Sequence, residues 1–296
     1  MRTMIFGKTG QVASELASIA WPEGSSVVQL ARADCDIADP GAVSRAVHRI
    51  RPDAIVNAAA YTAVDRAESE PELAQRLNRD APAAMARAGA EVGAFLIHLS
   101  SDYVFNGLKQ GAYAEDDPVA PLSVYGRTKS EGETAVRKEI ARHVILRTSW
   151  VFASHGNNFV RTMLRVAAEK EEIRVVNDQQ GTPTAARDIA SAIASIVASV
   201  AQGRSAWGTF HFASSEATTW HDFARAILDG SGRRTNLIAI ETADYVTAAR
   251  RPLNSILDCG RIAREYGIGQ PVWRQALATV LAELGECPDP GSGAST

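Results

Sequence analysis

Tyr125 and Lys129 stand four positions apart in a helix-like segment, and Ser101 ends a strand-like run upstream of them. On a helix this spacing places the phenol and the ammonium on one face, where the cation can stabilise a phenolate and lower its pKa. Such a tyrosine can donate a proton to a carbonyl oxygen, and a serine hydroxyl can hydrogen-bond the same oxygen. The three residues therefore predict the reduction of a ketone by a nicotinamide hydride.

The first residues of the chain predict where that hydride carrier binds. A β-rich run, Arg2–Phe6, leads directly into Gly7 and Gly10, and a helical pattern follows. Glycines let the backbone approach a pyrophosphate, and a helix N-terminus supplies free N–H groups and the positive end of its dipole. Ala13 takes the third fingerprint position, where a small residue serves helix-against-strand packing. The alternative interpretation of this segment is a purely structural turn. For Tyr125 and Lys129, the alternative is a surface aromatic side chain beside a solvated charge.

Composition excludes several classes of protein. The chain has 296 residues, of which 46% are hydrophobic and 22% charged, and its formal net charge is -3. It has no basic patch for nucleic acid and no apolar run near the roughly 20 residues that cross a bilayer. The scattered Cys35, Cys259 and Cys287 indicate reduced thiols in a cytoplasmic protein. Neither the cysteines nor the histidines show ligand spacing, so we predict no metal site.

Alternating β-rich and helical segments predict an α/β protein with a Rossmann-type doubly wound parallel sheet and a smaller, partly interleaved C-terminal substrate-binding lobe. The expected division is a dinucleotide-binding domain over residues 1–152, with later segments near 185–214 packing onto it, and a substrate lobe over 153–285. Residues 286–296 have the composition of a disordered tail. The β-rich runs are Val27–Arg32, Ala54–Ala60, Ala94–Ser101, His143–Phe152, Ile173–Asn177 and Thr209–Ala213.

The end of the second β-rich run bears on the choice of cofactor. An acidic residue there would bond a ribose hydroxyl and repel a 2′-phosphate, but this run ends in Arg32. A guanidinium suits a phosphate, so NADPH is favoured and NADH remains the alternative. Asp36 and Ile37 are expected beside the adenine, and the small side chains of Ala58–Ala60 would let the dinucleotide lie against backbone. The competing interpretation is an arginine that points to solvent.

Several segments resemble the extended short-chain dehydrogenase/reductase superfamily and, within it, the dTDP-4-dehydrorhamnose reductase family. The first four carry superfamily motifs, and the others lie in the predicted substrate lobe and point to this reductase family. These segments are residues 7–12, 57–65, 100–105, 125–129, 147–151, 157–159, 177–184 and 251–255.

The resemblance implies reduction of the C4 ketone of dTDP-4-dehydro-β-L-rhamnose by NAD(P)H, the last step in making dTDP-L-rhamnose. It implies that Tyr125 is the general acid, that Lys129 holds the nicotinamide ribose, and that Ser101 bonds the carbonyl oxygen. Cofactor contacts are expected from Gly7, Thr9, Gly10, Gln11, Val12, Arg32, Asp36, Ile37, Ala58, Ala59, Ala60, Tyr125 and Lys129. Substrate contacts are expected from Thr62, Ser101, Tyr103, Trp150, Asn157, Asn158, Arg251, Asn254 and Ser255.

The chain departs from the family pattern at a few positions. Tyr61 stands where relatives often have histidine, and Ala13 replaces a glycine. Some relatives are described as binding Mg²⁺ through carboxylates at a dimer contact, where Glu15 could take part, but Arg187 stands where another acid is expected. The resemblance thus leaves a homodimer open, while no metal is predicted. The expected partner is a nucleotide sugar, and neither nucleic acid nor a membrane is expected.

Two other functions remain open from the sequence. One is another nucleotide-sugar 4-keto reductase or an epimerase of the same superfamily, and an epimerase would retain its NAD⁺ through purification. The other is a non-catalytic regulatory subunit like that of methionine adenosyltransferase. The presence of Ser101, Tyr125 and Lys129 together argues against the second alternative.

Overall fold

The computed structural model describes residues 1–286, which fold into a parallel α/β unit and a smaller lobe. The strands are β1 (Arg2–Phe6), β2 (Ser26–Leu30), β3 (Ala54–Asn57), β4 (Phe95–Ser101), β5 (His143–Thr148), β6 (Val151–Phe152), β7 (Glu172–Val176), β8 (Gln180–Gly181), β9 (Thr184–Ala185), β10 (Gly208–His211), β11 (Thr218–Thr219) and β12 (Asn236–Ile240). The α-helices are α1 (Gln11–Ser18), α2 (Pro40–Ile50), α3 (Val64–Ala67), α4 (Pro71–Gln75), α5 (Ala81–Val92), α6 (Val124–Glu139), α7 (Phe159–Glu169), α8 (Ala186–Ala201), α9 (Trp220–Gly230), α10 (Gly260–Tyr266) and α11 (Trp273–Glu283).

The central sheet has six strands in the order β10-β5-β4-β3-β1-β2, and every neighbouring pair is parallel. Strand order reverses between β1 and β3, which is the position where doubly wound sheets open a crevice for a ligand. The predicted α/β class with a parallel Rossmann-type sheet is confirmed. The carboxyl ends of β1, β3 and β4 meet at this crevice.

Helices cover both faces of the sheet, because successive side chains of a strand point to opposite faces. Met4 packs in one buried cluster with Val47 of α2. The next residue, Ile5, packs in a second cluster with Leu16 of α1 and Ile189 of α8. Both faces are therefore closed to water, as parallel sheets require.

Two predicted β-rich runs differ in the structure from what the sequence predicts. The run over residues 143–152 is not one strand, since Trp150 has a φ of 48° and breaks it into β5 and β6. The run over residues 173–177 is a strand, β7, but it pairs with β12 outside the central sheet. Periodicity shows that a segment is extended but does not show which partner it pairs with.

The smaller lobe has its own core, in which α9 packs on the β7–β12 pair, α7 packs on β7 and α9, and α11 packs on α9. Phe223 and Trp273 are fully buried at its centre. Between these elements the chain returns to the larger unit, where α8 packs on α1 and β10 adds the outermost strand beside β5. The division at residue 152 stays a prediction. Within residues 1–286, no helix has the length and apolar character of a membrane span.

The predicted tail over 286–296 falls almost wholly outside the described residues. Glu286 is described, and its carboxylate lies 2.6 Å from the Arg233 guanidinium. Residues 287–296, including Cys287, lie beyond the described part of the chain.

Candidate active site

A cleft of about 790 Å³ opens at the carboxyl edge of the sheet, between the two lobes. Its walls come from the loops after β1, β2 and β3, the end of β4, the first turns of α6, and residues 148–157. Eighteen of the residues predicted from the sequence line it: Gly7, Thr9, Gly10, Gln11, Val12, Arg32, Asp36, Ile37, Ala58, Ala59, Ala60, Thr62, Ser101, Tyr103, Tyr125, Lys129, Trp150 and Asn157.

The turn after β1 has the shape of a phosphate cradle. Gly7 has a φ of 110°, and a Cβ there would lie 3.2 Å from the Ala58 backbone, so the two loops can approach this closely only at a glycine. Gly10 caps α1 without any side-chain hydrogen bond, which leaves first-turn N–H groups for a ligand. The residues present therefore fit a dinucleotide pyrophosphate.

Gln11 makes contacts that the sequence did not predict. Its Oε1 accepts a hydrogen bond from Asn158 Nδ2 at 3.0 Å, and its Nε2 lies 3.4 Å from the Asn157 carbonyl oxygen. The Gln11 side chain thus joins the cradle to the loop before α7. Because these contacts use the amide group, only the backbone of Gln11 and the part of its side chain that faces the cleft are available to a ligand.

Arg32 lies at the adenosine end of the cleft, on the rim. Its guanidinium is 3.5 Å from the Asp36 carboxylate, and 86% of its side chain is exposed. An exposed pair of this kind is weak, so Arg32 is free to exchange Asp36 for a phosphate. Cys35 and Ile37 line the wall beside it.

α6 carries Tyr125 and Lys129 and lies unusually close to its neighbours. Ser123 caps the helix by accepting a hydrogen bond from Gly126 N at 3.1 Å. A Cβ on Gly126 would lie 2.1 Å from the Tyr103 carbonyl oxygen, and one on Gly132 would lie 2.0 Å from that of Asn78. The two glycines therefore let α6 contact the backbone that follows β4 on one side and a π-helical turn over residues 76–80 on the other.

Lys129 is buried, and its Nζ donates a hydrogen bond to the Leu99 carbonyl oxygen at 2.6 Å. Burial lowers the pKa of Lys129 to about 8, against the opposing effect of Glu133 one turn along the helix. Its ammonium is therefore still mainly protonated at pH 7. Two of its three N–H donors remain for other partners.

Glu133 belongs to a buried ion pair behind the reactive residues. Arg147 donates to both of its carboxylate oxygens, at 2.8 Å and 2.7 Å, and Ser100 Oγ donates to Oε1 at 2.6 Å. Burial alone would raise the pKa of Glu133, but Arg147, Ser100 and Arg137 together outweigh it, and the pKa is lowered. Glu133 is therefore charged at neutral pH and connects α6 to β4 and β5.

The pKa of Tyr125 differs from the prediction. Burial raises it to about 12, with an opposing effect of the Ser101 side chain and a further rise from the Asp102 charge. The expectation that Lys129 lowers this pKa toward neutrality is wrong, because desolvation of the phenol is the largest effect on it and raises the pKa.

Asp102 is a site residue that the sequence analysis missed. It is buried and accepts a hydrogen bond from Ser101 Oγ at 2.7 Å, while Ser101 Oγ also accepts from Tyr103 N at 3.2 Å. Burial raises the pKa of Asp102 to about 6, despite the Ser255 and Ser101 hydroxyls that oppose the rise. The available signal was an acid placed directly after the predicted reactive serine at a strand end.

Two aromatic side chains line the part of the cleft near Ser101. Tyr103 lies edge-on to Tyr125, with ring centroids 5.5 Å apart. Trp150 stacks on Trp220, with centroids 3.6 Å apart and ring planes 8° from parallel. Burial raises the pKa of Tyr103 above its usual value, so it is neutral at physiological pH.

Four residues predicted to contact substrate do not line the cleft. Asn158 caps α7 by accepting from Arg161 N, and its amide group donates to Ala153 O and Gln11 Oε1. These contacts use the side chain inside the protein as the cap of α7, and the predicted substrate contact of Asn158 stays a prediction.

The other three lie in the segment before α10. Arg251 forms a two-point ion pair with Asp65, with distances of 3.2 Å and 2.7 Å. Asn254 donates to the carbonyl oxygens of Lys109 and Gly111, and Ser255 is buried beside Asp102. Their polar groups hold loops in place, and the sequence could not show this because their partners are distant along the chain.

Beside Glu15, where the family resemblance suggested magnesium, lies the guanidinium of Arg187. Arg187 Nε lies 3.6 Å from Glu15 Oε2, and the same guanidinium pairs with Glu283. Among residues 1–286 there is no group of three or more His, Cys, Asp or Glu side chains arranged to hold a metal ion. Tyr61, another departure from the family pattern, donates its hydroxyl proton to Glu70 at 2.7 Å and is not among the residues that line the cleft.

Comparison with known proteins agrees with this architecture. The family described as "RmlD substrate binding domain" matches residues 1–286. A dTDP-4-dehydrorhamnose reductase of Shigella flexneri is 43% identical over 96% of this chain and 98% of its own. One from Sinorhizobium fredii is also 43% identical, with the same coverage.

Solved structures give the same result. The crystal structure of a dTDP-4-dehydrorhamnose reductase from Clostridium acetobutylicum has a TM-score of 0.91 and 32% identity, and covers 96% of this chain and 100% of its own. That of a Bacillus anthracis enzyme of the same name, in complex with NADP, has a TM-score of 0.88 and 35% identity, and covers 95% of this chain and 99% of its own. From the full-length family match and these relatives, the chain belongs to the dTDP-4-dehydrorhamnose reductase family.

Proposed function

We propose that the protein reduces the C4 ketone of dTDP-4-dehydro-β-L-rhamnose to give dTDP-L-rhamnose, the last step of dTDP-rhamnose biosynthesis, with NADPH as the reductant. The observation that carries the proposal is one cleft lined by a phosphate cradle at Gly7–Gly10 and by buried Ser101, buried Lys129 and half-buried Tyr125. The names of the relatives, which cover nearly the whole chain, support the same substrate.

Tyr125 acts as the proton donor. When held in the cradle, NADPH would supply the hydride for the C4 carbon, and the C4 oxygen would then gain negative charge. A phenol with a pKa of about 12 is fully protonated at pH 7, so Tyr125 has a proton to give. An alkoxide is far more basic than a phenolate, so the transfer is favourable even from a weak acid.

Ser101 stabilises the same oxygen by donating a hydrogen bond to it. Its hydroxyl has one proton, which it donates to the Asp102 carboxylate. To donate to substrate, this proton rotates away from Asp102. Rotation is easiest when the Asp102 carboxyl is protonated, because an uncharged carboxyl is a weaker acceptor. A pKa of about 6 for Asp102 places that change near physiological pH.

Lys129 supplies the fixed positive charge. Its contact with Leu99 O sets the position of the ammonium and leaves donors for the hydroxyls of the nicotinamide ribose. Lys129 therefore acts by positioning the nicotinamide ribose, while the pKa of Tyr125 is set by burial, the Ser101 side chain and the Asp102 charge.

Arg32 sets the preference for NADPH. It is the cation on the rim of the adenosine pocket, and β2 ends without an acid at that position. The B. anthracis relative was crystallised with NADP, which fits the same preference. Removal of the guanidinium should therefore reduce use of NADPH more than use of NADH.

The cellular compartment and the oligomeric state of the protein are also proposals. Buried, unpaired Cys35 and Cys259 support a reducing compartment, and we place the protein in the cytoplasm. A homodimer is a prediction that light scattering of the purified protein tests directly.

A coupled assay tests the function. The 4-keto sugar nucleotide is made from dTDP-glucose by the upstream dehydratase and epimerase, the protein is added, and NADPH absorbance is followed. We expect absorbance to fall and dTDP-L-rhamnose to accumulate. If NADPH is not consumed while the upstream enzymes demonstrably make their product, the proposed function is wrong.

A further inference from the structure

Trp150 has an unfavourable backbone conformation for a bulky residue. Its φ of 48° lies in the left-handed region, which costs free energy for any residue with a large side chain. Strain of this kind persists only where the surrounding structure enforces it, and it is concentrated at functional sites. Trp150 is also one of the residues whose side chains line the cleft.

Two neighbours fix the indole from behind. One ring face is covered by Trp220, whose ring is stacked at 3.6 Å and nearly parallel. On the Nε1–Cε2 side lies Gly181, where an added Cβ would be 2.4 Å from Cε2 and 2.7 Å from Nε1. Such distances do not occur between real atoms, so the indole occupies the space that any side chain at Gly181 would need. Neither Gly181 nor Trp220 lines the cleft.

Strand pairing brings these neighbours together. β8 pairs antiparallel with β11, with Gly181 opposite Thr218, and Trp220 follows β11 directly. The backbone of Trp150 is held to the adjacent turn, because Thr184 N donates to the Trp150 carbonyl oxygen at 3.2 Å. The residue before it is held as well, since Ser149 Oγ donates to Thr182 O at 2.9 Å.

We propose that Gly181 and Trp220 are positioning residues that hold the Trp150 indole against the sugar of the substrate. They therefore determine recognition of the nucleotide sugar and not of the cofactor. The inference rests on the proposed function, because it assigns the sugar as the ligand of the indole. An indole fixed on two sides presents its remaining surface to the cleft with little rotational freedom, and the apolar C–H face of a sugar packs well on such a surface.

Gly181→Ala tests the inference, with Gly269→Ala as the matched control. A Cβ on Gly269 would meet nothing within 4 Å, and Gly269 has no positive φ. We expect kcat/KM for the 4-keto sugar nucleotide to fall about 10- to 100-fold in Gly181→Ala, because a small displacement of a positioning group has effects of this size. The KM for NADPH should be unchanged in both variants.

A second pair of variants decides the matter if Gly181→Ala does not fold. Trp220→Ala removes the stacked ring, and Trp220→Phe keeps a smaller one. Trp220→Ala should show the same selective loss toward the sugar nucleotide, and Trp220→Phe should recover part of it. The near-ultraviolet circular dichroism that arises from the stacked indoles should change in Trp220→Ala and stay as in the wild type in Gly269→Ala.

The outcomes separate the two proposals. A wild-type protein that does not reduce the 4-keto sugar overturns the proposed function and this inference with it. If the wild type is active, two results would overturn this inference alone. One is a folded Gly181→Ala whose kinetics match those of Gly269→Ala, and the other is a KM for NADPH that rises as much as kcat/KM for the sugar nucleotide falls. Either result in Trp220→Ala would also overturn it.

Discussion

In the proposed function, Tyr125 would donate its proton as an ordinary neutral phenol. Its pKa is raised to about 12 because the ring is desolvated and Asp102 lies close by. The phenol is then protonated over the whole physiological range. A proton donor of this kind needs no change of charge before the substrate binds.

Tyr125→Phe should lower kcat by about 100- to 10,000-fold, since a positioned general acid contributes a factor of this size. The KM for the nucleotide sugar should change little, because the hydroxyl acts mainly in the transition state. Steady-state kinetics with NADPH checks this. Tyr245→Phe, at an exposed tyrosine outside the cleft lining, is the control. A rise in KM that accounts for the whole loss would show that the hydroxyl binds substrate instead.

The pH dependence of NADPH use should report Lys129. Its pKa is lowered by burial to about 8, so the ammonium loses its charge as the pH rises through that value. We expect kcat/KM for NADPH, which reflects the free enzyme, to fall above about pH 8. An unperturbed lysine would keep the profile flat to a much higher pH.

Lys129→Arg is the control for this profile, because a guanidinium stays protonated. Whatever its rate, this variant should lack the alkaline fall. An alkaline fall at the same pH in Lys129→Arg would assign the titration to another group.

The helix α6 is a rigid support for this chemistry. It contacts neighbouring backbone at Gly126 and Gly132, and Ser123 defines its first turn. On its buried side, Glu133 is tied to Arg147 of β5 and Ser100 of β4. A shift of α6 would have to break this ion pair in a water-poor interior. The positions of Tyr125 and Lys129 are therefore set by a helix that is held at several points.

Glu133→Ala should lower the free energy of unfolding by about 3–5 kcal/mol, because it leaves Arg147 buried without its counter-charge. Urea denaturation at pH 7 measures this. Glu139→Ala removes a carboxylate of the same helix that pairs with the largely exposed Arg87, and should cost about 1 kcal/mol or less. Equal losses in the two variants would contradict the importance of the buried pair.

The acid side of the stability profile follows from the same pair. The pKa of Glu133 is lowered in the folded protein, so its contribution is complete above the unfolded-state value. That contribution is lost as the pH falls through the folded-state value. Below about pH 4, near the ordinary pKa of a glutamate, the difference between wild type and Glu133→Ala should therefore shrink.

The two lobes are joined by contacts on both sides of the cleft. On one side, Gln11 in the phosphate cradle bonds to Asn158 of the smaller lobe. On the other, Asp65 of α3 accepts from the Ala249 backbone N–H and pairs with Arg251. Because the cradle, the reactive residues and Trp150 come from different segments, these contacts maintain the distance between the cofactor and sugar ends of the cleft.

Asp65→Ala should lower the free energy of unfolding by about 1–2 kcal/mol, since a half-exposed carboxylate that accepts three hydrogen bonds lies between a surface and a buried pair. Chemical denaturation checks this, with Asp229→Ala, at an exposed carboxylate of α9, as the control. A loss no larger than that of the control would mean that the segment before α10 is held by its other contacts.

The sequence alone was sufficient for the parallel sheet, the cradle at Gly7–Gly10 and the cleft position of Ser101, Tyr125 and Lys129. These features depend on residues near one another along the chain: a strand that runs into a glycine turn, or two side chains one helical turn apart. Strand ends also converge by the rules of parallel sheets. Short-range patterns and general topology thus carry this information.

Three features were visible only in the folded chain. They are the raised pKa of Tyr125, the hydrogen bonds by which Asn158 and Asn254 hold neighbouring loops, and the stack of Trp150 on Trp220. Each depends on a contact that local patterns do not encode, such as Arg251 with Asp65, 186 residues apart. Desolvation likewise depends on every segment that covers a group. Local sequence fixes which chemical groups a segment carries, whereas their charge state and partners are fixed by distant segments that exclude water from them.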